Sequence, residues 1–228
     1  MKKGGLSNAE YHIHPAISNS DLSLFAKAPA LYKHHKIDGN EMHQTPEMEF
    51  GSAYHSLVLE GRDDDLRQMT QVYIDRGLAM RDVLLRDKRI ENIIEHGIIE
   101  RSFFARDYQT GLEIKCRPDI IYRDMIFDLK TTSDASLRGF RLSFYKLRYF
   151  VQAPFYLHVL SAAGVRVLQR FVFICQEKKE PYLYGLYFPG PEKMADGADE
   201  FMNNLEGIKR CMGTNEWPHC NSGKIIEI

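Results

Sequence analysis

The chain has 228 residues, of which 44% are hydrophobic and 27% charged, and its formal net charge is −1. This composition is typical of a soluble globular protein, and the length suffices for one domain with a sizeable core. No apolar run approaches the roughly 20 residues of a membrane span, and the N-terminus lacks the apolar stretch of a signal peptide. We therefore expect a cytoplasmic protein with no membrane segment.

The cysteines and the charge pattern further limit the class of protein. The four cysteines are scattered along the chain and form no CxxC pair or zinc spacing, so we expect reduced thiols. A strongly basic total charge, frequent in nucleic-acid-binding proteins, is absent. Basic residues nevertheless cluster in the second half with few acids among them: Arg138, Arg141, Lys146, Arg148, Arg166 and Arg170. This pattern indicates a local basic groove, although solvated helices also carry such residues.

Short helices are expected near the N-terminus, after an irregular segment over residues 1–17. The cluster Ser18-Asn19-Ser20 supplies N-cap oxygens, so a helix should follow over residues 21–27. Pro29 predicts the start of a second short helix that ends near His34. Residues 37–46 read as a loop.

A longer helix is expected over residues 47–60, ended by Gly61. It carries an apolar stripe at helical spacing, made of Phe50, Tyr54, Leu57 and Val58. His55 lies on another face of this helix. A single histidine there is more often a hydrogen-bonded core residue than a metal ligand, so its helix alone does not assign it a function.

The charged segment over residues 62–97 contains one further amphipathic pattern. Apolar residues between positions 82 and 94 predict a single helix there, closed by Gly97. The sheet should begin with residues 98–105. Glu100 alternates onto one face of that strand, where it could serve as an outer carboxylate of a site, but a salt bridge is the simpler expectation.

The central motif is a predicted hairpin over residues 117–130, with a tight turn at Arg123-Asp124. Side chains alternate across a strand, so Asp128 and Lys130 should share one face, and Asp119 on the preceding strand should join them. In that preceding strand, expected over residues 112–119, Lys115 should lie on the same polar face. Two carboxylates and an ammonium on rigid strands suit a divalent cation and a phosphate. A solvated sheet face shows the same alternation.

Two helices should follow the hairpin, over residues 135–145 and 149–163. On the second, Tyr149, Gln152 and Tyr156 share one face at i, i+3 and i+7. Pro154 must then lie in the first turn or kink the helix. Strands are expected over residues 166–175 and 182–188, a helix over 191–212, and an arm or short strand over 217–228.

With these segments placed, the chain resembles the exonuclease VIII (RecE-like) branch of the PD-(D/E)xK nucleases over most of its length. The matching segments are YHIHPAIS at residues 11–18 with Ser20, GSAYHSLVLE at 51–60, CRPD at 116–119, DLKTT at 128–132 and VQAPFY at 151–156. The resemblance implies an α/β (α+β) fold with a restriction-endonuclease-like core, in which helices flank a mixed central β-sheet. We expect one domain over 1–228, with a mainly helical part (1–97), a sheet core with the motif helices (98–190) and a C-terminal helix and tail (191–228).

The resemblance also implies roles for individual residues. The implied metal ligands are His55, Asp119, Asp128 and the backbone carbonyl of Leu129, and Lys130 is the implied catalytic lysine. Gln152 and Tyr156 form the implied accessory motif on the cleft helix. The implied cofactor is Mg²⁺, for which Mn²⁺ can substitute. The candidate DNA contacts are Arg117, Thr131, Arg138 and Arg148.

The implied activity is Mg²⁺-dependent exonuclease digestion of double-stranded DNA from its ends, in the 5′→3′ direction, which leaves single strands for recombination and repair. The implied partners are duplex ends, a single-strand annealing recombinase and further copies of the chain in a ring. Two alternatives remain open. One is a related nuclease that carries an iron–sulfur cluster or nicks structured DNA, and the other is a DNA-binding scaffold without catalysis.

Overall fold

A computed structural model of the protein describes residues 6–165 and 170–220. Its first half is helical, with α1 at Asn8–Ile13, α2 at Asn19–Lys27, α3 at Pro29–Tyr32, a π-helical turn at Lys33–Ile37, α4 at Pro46–Leu59, α5 at Asp64–Arg67, α6 at Gln71–Leu85 and α7 at Lys88–His96. The irregular segment expected over residues 1–17 is wrong in part, because a capping box between Ser7 and Glu10 begins α1. None of the described helices is long and apolar enough to cross a membrane.

Side-chain caps fix where the two predicted early helices begin. Ser18 and Asp21 form a capping box, in which each side chain accepts from the backbone N–H of the other residue. Thr45 caps α4 by accepting from the N–H of Met48, and Pro46 occupies the first helical position. The predicted helices over 21–27 and 47–60 are thereby confirmed.

The single helix expected over residues 82–94 is wrong. The chain forms two helices there, and the break falls at Arg86 and Asp87. The carboxylate of Asp87 accepts from the N–H of Arg89 at 2.9 Å and so caps a new helix, α7. Because Asp87 begins α7, the preceding helix cannot continue through it. The apolar residues on both sides of the break still contact one core.

The central sheet is mixed, which confirms the expected fold class. The strands are β1 at Ile98–Ile99, β2 at Phe103–Arg106, β3 at Glu113–Cys116, β4 at Ile120–Tyr122, β5 at Met125–Thr132, β6 at Arg170–Glu177 and β7 at Tyr184–Tyr187. Five strands form one sheet in the order β1-β4-β5-β6-β7. Strands β5 and β6 are parallel, and the other neighbours are antiparallel.

The strand expected over residues 112–119 is wrong in its extent. Strand β3 ends at Cys116 and pairs with β2 in a separate two-stranded sheet, whereas β4 begins at Ile120 in the central sheet. Pro118 lies between them and has no N–H to donate to a ladder. Lys115 is buried, contrary to its expected place on the polar face.

The predicted hairpin over β4 and β5 is confirmed. Ile120 pairs with Phe127, and the turn places Arg123 at a positive φ of 55°. Extending the register by one residue sets Asp119 opposite Asp128. This pairing is what brings the two carboxylates of the motif together.

Helices cover both faces of the sheet. The later helices are α8 at Leu137–Lys146, α9 at Tyr149–Ala162 and α10 at Pro191–Thr214. Ile126, Phe171 and Phe173 face the core formed with α8, α9 and α10, and Phe127, Leu129 and Ile174 face α4, α6 and α7. The alternation predicted for β5 therefore holds.

Pro154 is the sixth residue of α9, so it lies beyond the first turn where it was expected, and the helix continues through it. Since proline has no N–H, the Phe150 carbonyl lacks its usual helical donor. Gly197 of α10 packs against that carbonyl, where a side chain would overlap it. Of the later expectations, residues 166–169 of the predicted strand and 221–228 of the predicted arm lie outside the described residues.

Candidate active site

The backbone of β5 holds the first carboxylate of the motif. Asp119 Oδ2 accepts from the N–H of Leu129 at 2.7 Å, so a strand amide fixes its orientation. Asp119 is 8% exposed. A charge-assisted bond of this kind stabilises the ionised carboxylate and leaves Oδ1 outside the bond.

The second carboxylate and the lysine lie on one face of β5, as predicted. Asp128 is 1% exposed, and its Oδ1 accepts from Gln152 Nε2 at 2.7 Å. Its Oδ2 lies 2.5 Å from Lys130 Nζ. The two groups form an ion pair, so each oxygen of Asp128 has a side-chain partner.

His55 reaches Asp119 from the opposite layer. Helix α4 packs its apolar stripe on the Phe127 and Leu129 face of the sheet. This packing sets His55 Nδ1 3.5 Å from Asp119 Oδ2. The predicted convergence of a helix and a hairpin distant in sequence is therefore present in the structure.

Glu100 joins this group, although a salt bridge was the simpler expectation. It lies between β1 and β2 with a φ of 50°, and its N–H donates to the carbonyl of Asp119 at 3.0 Å. One ligand atom from each of His55, Glu100 and Asp119 lies within 4.8 Å of the others. The alternation in the sequence put Glu100 on one strand face, but only this backbone contact brings it to the site.

Burial and neighbouring negative charge raise the pKa of two carboxyl groups of the site, Asp128 and Glu100. Burial raises the pKa of Asp128 to about 7, against the effect of Lys130, and the charge of Asp119 adds to the rise. Burial and Asp119 also raise the pKa of Glu100 to about 8. A bound cation would relieve this repulsion, since it would favour the ionised form of each group.

The two basic groups of the site shift in opposite directions. Burial disfavours the charged form of Lys130, but Asp128 and Tyr149 outweigh it and raise the pKa of Lys130. Burial lowers the pKa of His55, and Asp119 opposes that shift only in part. Lys130 is therefore a cation, and neutral His55 has a ring nitrogen able to ligate a metal.

The accessory residues of α9 share one face, as predicted. The ring of Tyr149 lies 5.0 Å from Lys130 Nζ, and Gln152 holds Asp128. Tyr156 packs edge-on against Phe171. Burial raises the pKa of Tyr156, and the charges of both aspartates add to the rise, so its hydroxyl is neutral beside them.

Residues 18–226 match a family described as a PDDEXK-like domain of unknown function, DUF3799. The chain belongs to this family. A comparison with curated proteins found no match. The match supports the PD-(D/E)xK superfamily and a hydrolytic nuclease, and it does not single out the exonuclease VIII branch.

Solved structures agree with this PDDEXK-like fold. A candidate exonuclease from Eubacterium rectale is 15% identical, covers 100% of this chain with 95% of its own, and superposes with a TM-score of 0.73. LHK-Exo, an alkaline exonuclease from Laribacter hongkongensis solved with dAMP, is 12% identical over 90% of this chain and 94% of its own, with a TM-score of 0.43. The first likeness shows the fold, and the second is too weak to support an argument.

Two of the four predicted DNA contacts, Arg117 and Arg148, are engaged elsewhere. Arg117 donates to Ser102 Oγ at 2.9 Å and to the carbonyl of Leu6 at 3.0 Å, so it anchors the N-terminal segment. Arg148 pairs with Glu200 of α10. Thr131 follows Lys130 along β5 and is partly exposed, and Arg138 lies exposed on α8.

The donor set suits a hard divalent cation. Glu100 and Asp119 supply carboxylate oxygens and His55 supplies one nitrogen within 4.8 Å of one another. Asp128 lies beside this group and would add a further carboxylate, although Gln152 and Lys130 contact its two oxygens. Mg²⁺ and Mn²⁺ prefer oxygen-rich sites of this kind. No cysteine belongs to the ligand group found among the described residues, so the iron–sulfur alternative gains no support.

Proposed function

We propose that this domain is a metal-dependent exonuclease of double-stranded DNA. The observation that carries the proposal is the convergence of His55 from α4 with Asp119, Asp128 and Lys130 from one hairpin. The family match adds independent support, because it covers the segments that supply these residues.

The residues of the site divide the chemistry among them. The residues that would hold Mg²⁺ are His55, Glu100, Asp119, Asp128 and the carbonyl of Leu129. When bound, the cation would lower the pKa of a water molecule and neutralise charge on the phosphate. Such assistance is needed because a phosphodiester is very inert in water. The site must therefore lower the barrier to hydrolysis by roughly 10 kcal/mol or more.

Lys130 would act on the developing charge. Its ammonium is a compact point charge, held by Asp128 and bordered by the face of Tyr149. In that position it would orient the attacking water and stabilise the negative charge of the transition state. Gln152 would keep Asp128 in its ligating orientation, and Tyr156 would line the cleft beside it.

Action from duplex ends, with 5′→3′ polarity, is the finer part of the proposal. It draws on the resemblance to exonuclease VIII, and the Eubacterium rectale structure is described as a candidate exonuclease. We further propose a cytoplasmic enzyme that assembles with other copies of the chain in a ring and supplies single strands to an annealing recombinase.

The test is digestion of end-labelled linear duplex and of closed circular duplex, each with Mg²⁺ and with a chelator. We expect Mg²⁺-dependent loss of the linear DNA alone, with the 5′ label released first. Lys130→Ala is the control against a contaminating nuclease and should be inactive. Nicking of the circle would favour the endonuclease alternative, and wild-type activity in Lys130→Ala would refute the assignment of the site.

A further inference from the structure

Helix α8 has two different faces. Its inner face buries Phe140 and Phe144 against Phe173. Its outer face carries a shallow surface groove, open to solvent and bordered by Leu137, Arg138, Arg141, Leu142 and Tyr145. These five positions recur at i, i+1, i+4, i+5 and i+8, so they form one continuous stripe.

The outer face of α8 exposes large apolar side chains side by side. Leu142 is 67% exposed, Leu137 52% and Tyr145 50%. Single exposed apolar residues are ordinary, but an adjacent set with a polar border marks a binding surface. Folding alone does not explain this stripe, because the inner face already packs the helix onto the sheet.

The same face is cationic. Helix α8 contains Arg138, Arg141 and Lys146 and no acidic residue. Neither arginine lies within 4.0 Å of a carboxylate among the described residues, whereas Arg148 pairs with Glu200 and Lys178 with Glu47. The charge of this face is therefore available to a polyanion.

The outer face of α8 lies across the helix from the candidate active site. On the inner side of α8, the ring of Phe140 stacks on Tyr149 with centroids 6.4 Å apart, and Tyr149 lies 5.0 Å from Lys130 Nζ. A helix is about 10–12 Å across. One helix thickness thus separates the groove from the aromatic ring that borders the lysine.

We propose that the outer face of α8 binds an unpaired nucleic-acid strand. Arg138 and Arg141 contact its phosphates, Tyr145 stacks on a base, and Leu137 and Leu142 contact neighbouring bases. A duplex would meet the arginines but hides its base faces, so the apolar half of the stripe would have no partner. An unpaired strand offers both charge and exposed rings. That the strand originates from cleavage next to α8 rests on the proposed function.

The test measures binding of a fluorescein-labelled oligothymidylate by anisotropy, in a chelator so that cleavage cannot occur. We expect Tyr145→Ser and Leu142→Ser each to weaken binding roughly tenfold. The double variant Arg138→Gln/Arg141→Gln should also weaken binding. In a plot of log binding constant against log salt concentration, the slope should become shallower by about 0.7 per lost phosphate contact. The matched control is Val72→Ser/Arg86→Gln, at two exposed positions on α6 and at its C-cap, and it should bind like the wild type.

Two outcomes would overturn this proposal. In one, the α8 variants bind the oligothymidylate as tightly as the wild type does. In the other, Leu142→Ser changes the sedimentation of an oligomer and leaves strand binding intact, which would make α8 a contact between copies. Because binding is measured without metal, its result is independent of whether Lys130→Ala abolishes cleavage. The proposed function and this inference therefore fail separately.

Discussion

Two enclosed lysines on strands of different sheets have opposite electrostatic environments. Lys115 on β3 is 2% exposed, and its Nζ donates to the backbone carbonyls of Tyr11 at 2.5 Å and His14 at 2.9 Å. Lys130 on β5 meets the carboxylate of Asp128 at 2.5 Å. Both were expected on one polar sheet face, yet only Lys130 lies in the candidate active site.

The difference in surroundings sets the pKa of each lysine. Burial lowers the pKa of Lys115 to about 8, and the positive charge of Lys36 adds to the fall. Carboxylates outweigh burial at Lys130 and raise its pKa. A buried lysine with carbonyl partners holds backbone segments together. A lysine with carboxylate partners stays protonated, and its positive charge can stabilise a phosphate.

Two buried amides repeat this contrast. Gln176 on β6 is fully buried, accepts from the Tyr54 hydroxyl and donates to the carbonyl of Met80 at 2.8 Å. Gln152 on α9 donates to the charged Asp128. The neutral partners of Gln176 join α4, α6 and β6, so it is a structural residue by the same criterion.

The largest effect expected from this comparison is on stability. Lys115→Ala removes a buried side chain and the donor to two carbonyls, so the free energy of unfolding should fall by about 3 kcal/mol. Urea denaturation measures it. The folded variant should still cleave DNA at low temperature, unlike Lys130→Ala.

Lys209→Ala is the control for Lys115→Ala, because Lys209 lies exposed on α10. Its unfolding free energy should stay within about 0.5 kcal/mol of the wild type. A similarly small change in Lys115→Ala would mean that the carbonyl contacts contribute nothing to the fold. Loss of cleavage in folded Lys115→Ala would remove the contrast between the two lysines.

The sequence predicted those parts of the site that depend on local periodicity. Alternation along β5 put Asp128 and Lys130 on one face, and the spacing on α9 aligned Gln152 with Tyr149. The turn residues Arg123-Asp124 fixed the hairpin register. Each of these features is decided within a few residues of chain, where backbone geometry and side-chain direction follow from local pattern.

The failures at the site depend on contacts distant in sequence, whereas the break in the helix expected over residues 82–94 comes from a local cap at Asp87. The carbonyls that bury Lys115 belong to residues Tyr11 and His14, about a hundred positions earlier. Glu100 enters the site through a left-handed backbone conformation and a bond to Asp119. Arg117 was expected at a phosphate but donates to the N-terminal segment. Alternation gives the face of a side chain and not the identity of its partner.

A second expected effect is a pH dependence specific to Lys115. Its pKa is about 8 in the folded state and about 10.5 in the unfolded state. Between these values the unfolded chain binds more protons, so the free energy of unfolding rises with pH in that window. Relative to Lys115→Ala, the wild type should gain on the order of 2 kcal/mol from pH 8 to pH 10.5.

Urea denaturation of the two proteins at matched pH values gives this difference, and other titrating groups cancel in it. Below pH 8 Lys115 is charged in both states, so the difference between the proteins should be flat. A difference that falls with pH in the window would mean that the carbonyls hold the ammonium more tightly than water does. In that case Lys115 would resemble Lys130 after all.

The smallest expected effect separates the two amides. Gln152→Leu removes the donor to Asp128 Oδ1, so the carboxylate loses its fixed orientation. Groups that orient metal ligands typically change activity by about 10-fold to 100-fold, and we expect the lower end because Lys130 still holds Oδ2. The Mg²⁺ concentration for half-maximal cleavage should rise, and a purely structural role would not move it. Gln176→Leu, the matched control, should lower the unfolding free energy and leave the Mg²⁺ requirement unchanged; equal Mg²⁺ requirements in both variants would place Gln152 among the structural amides.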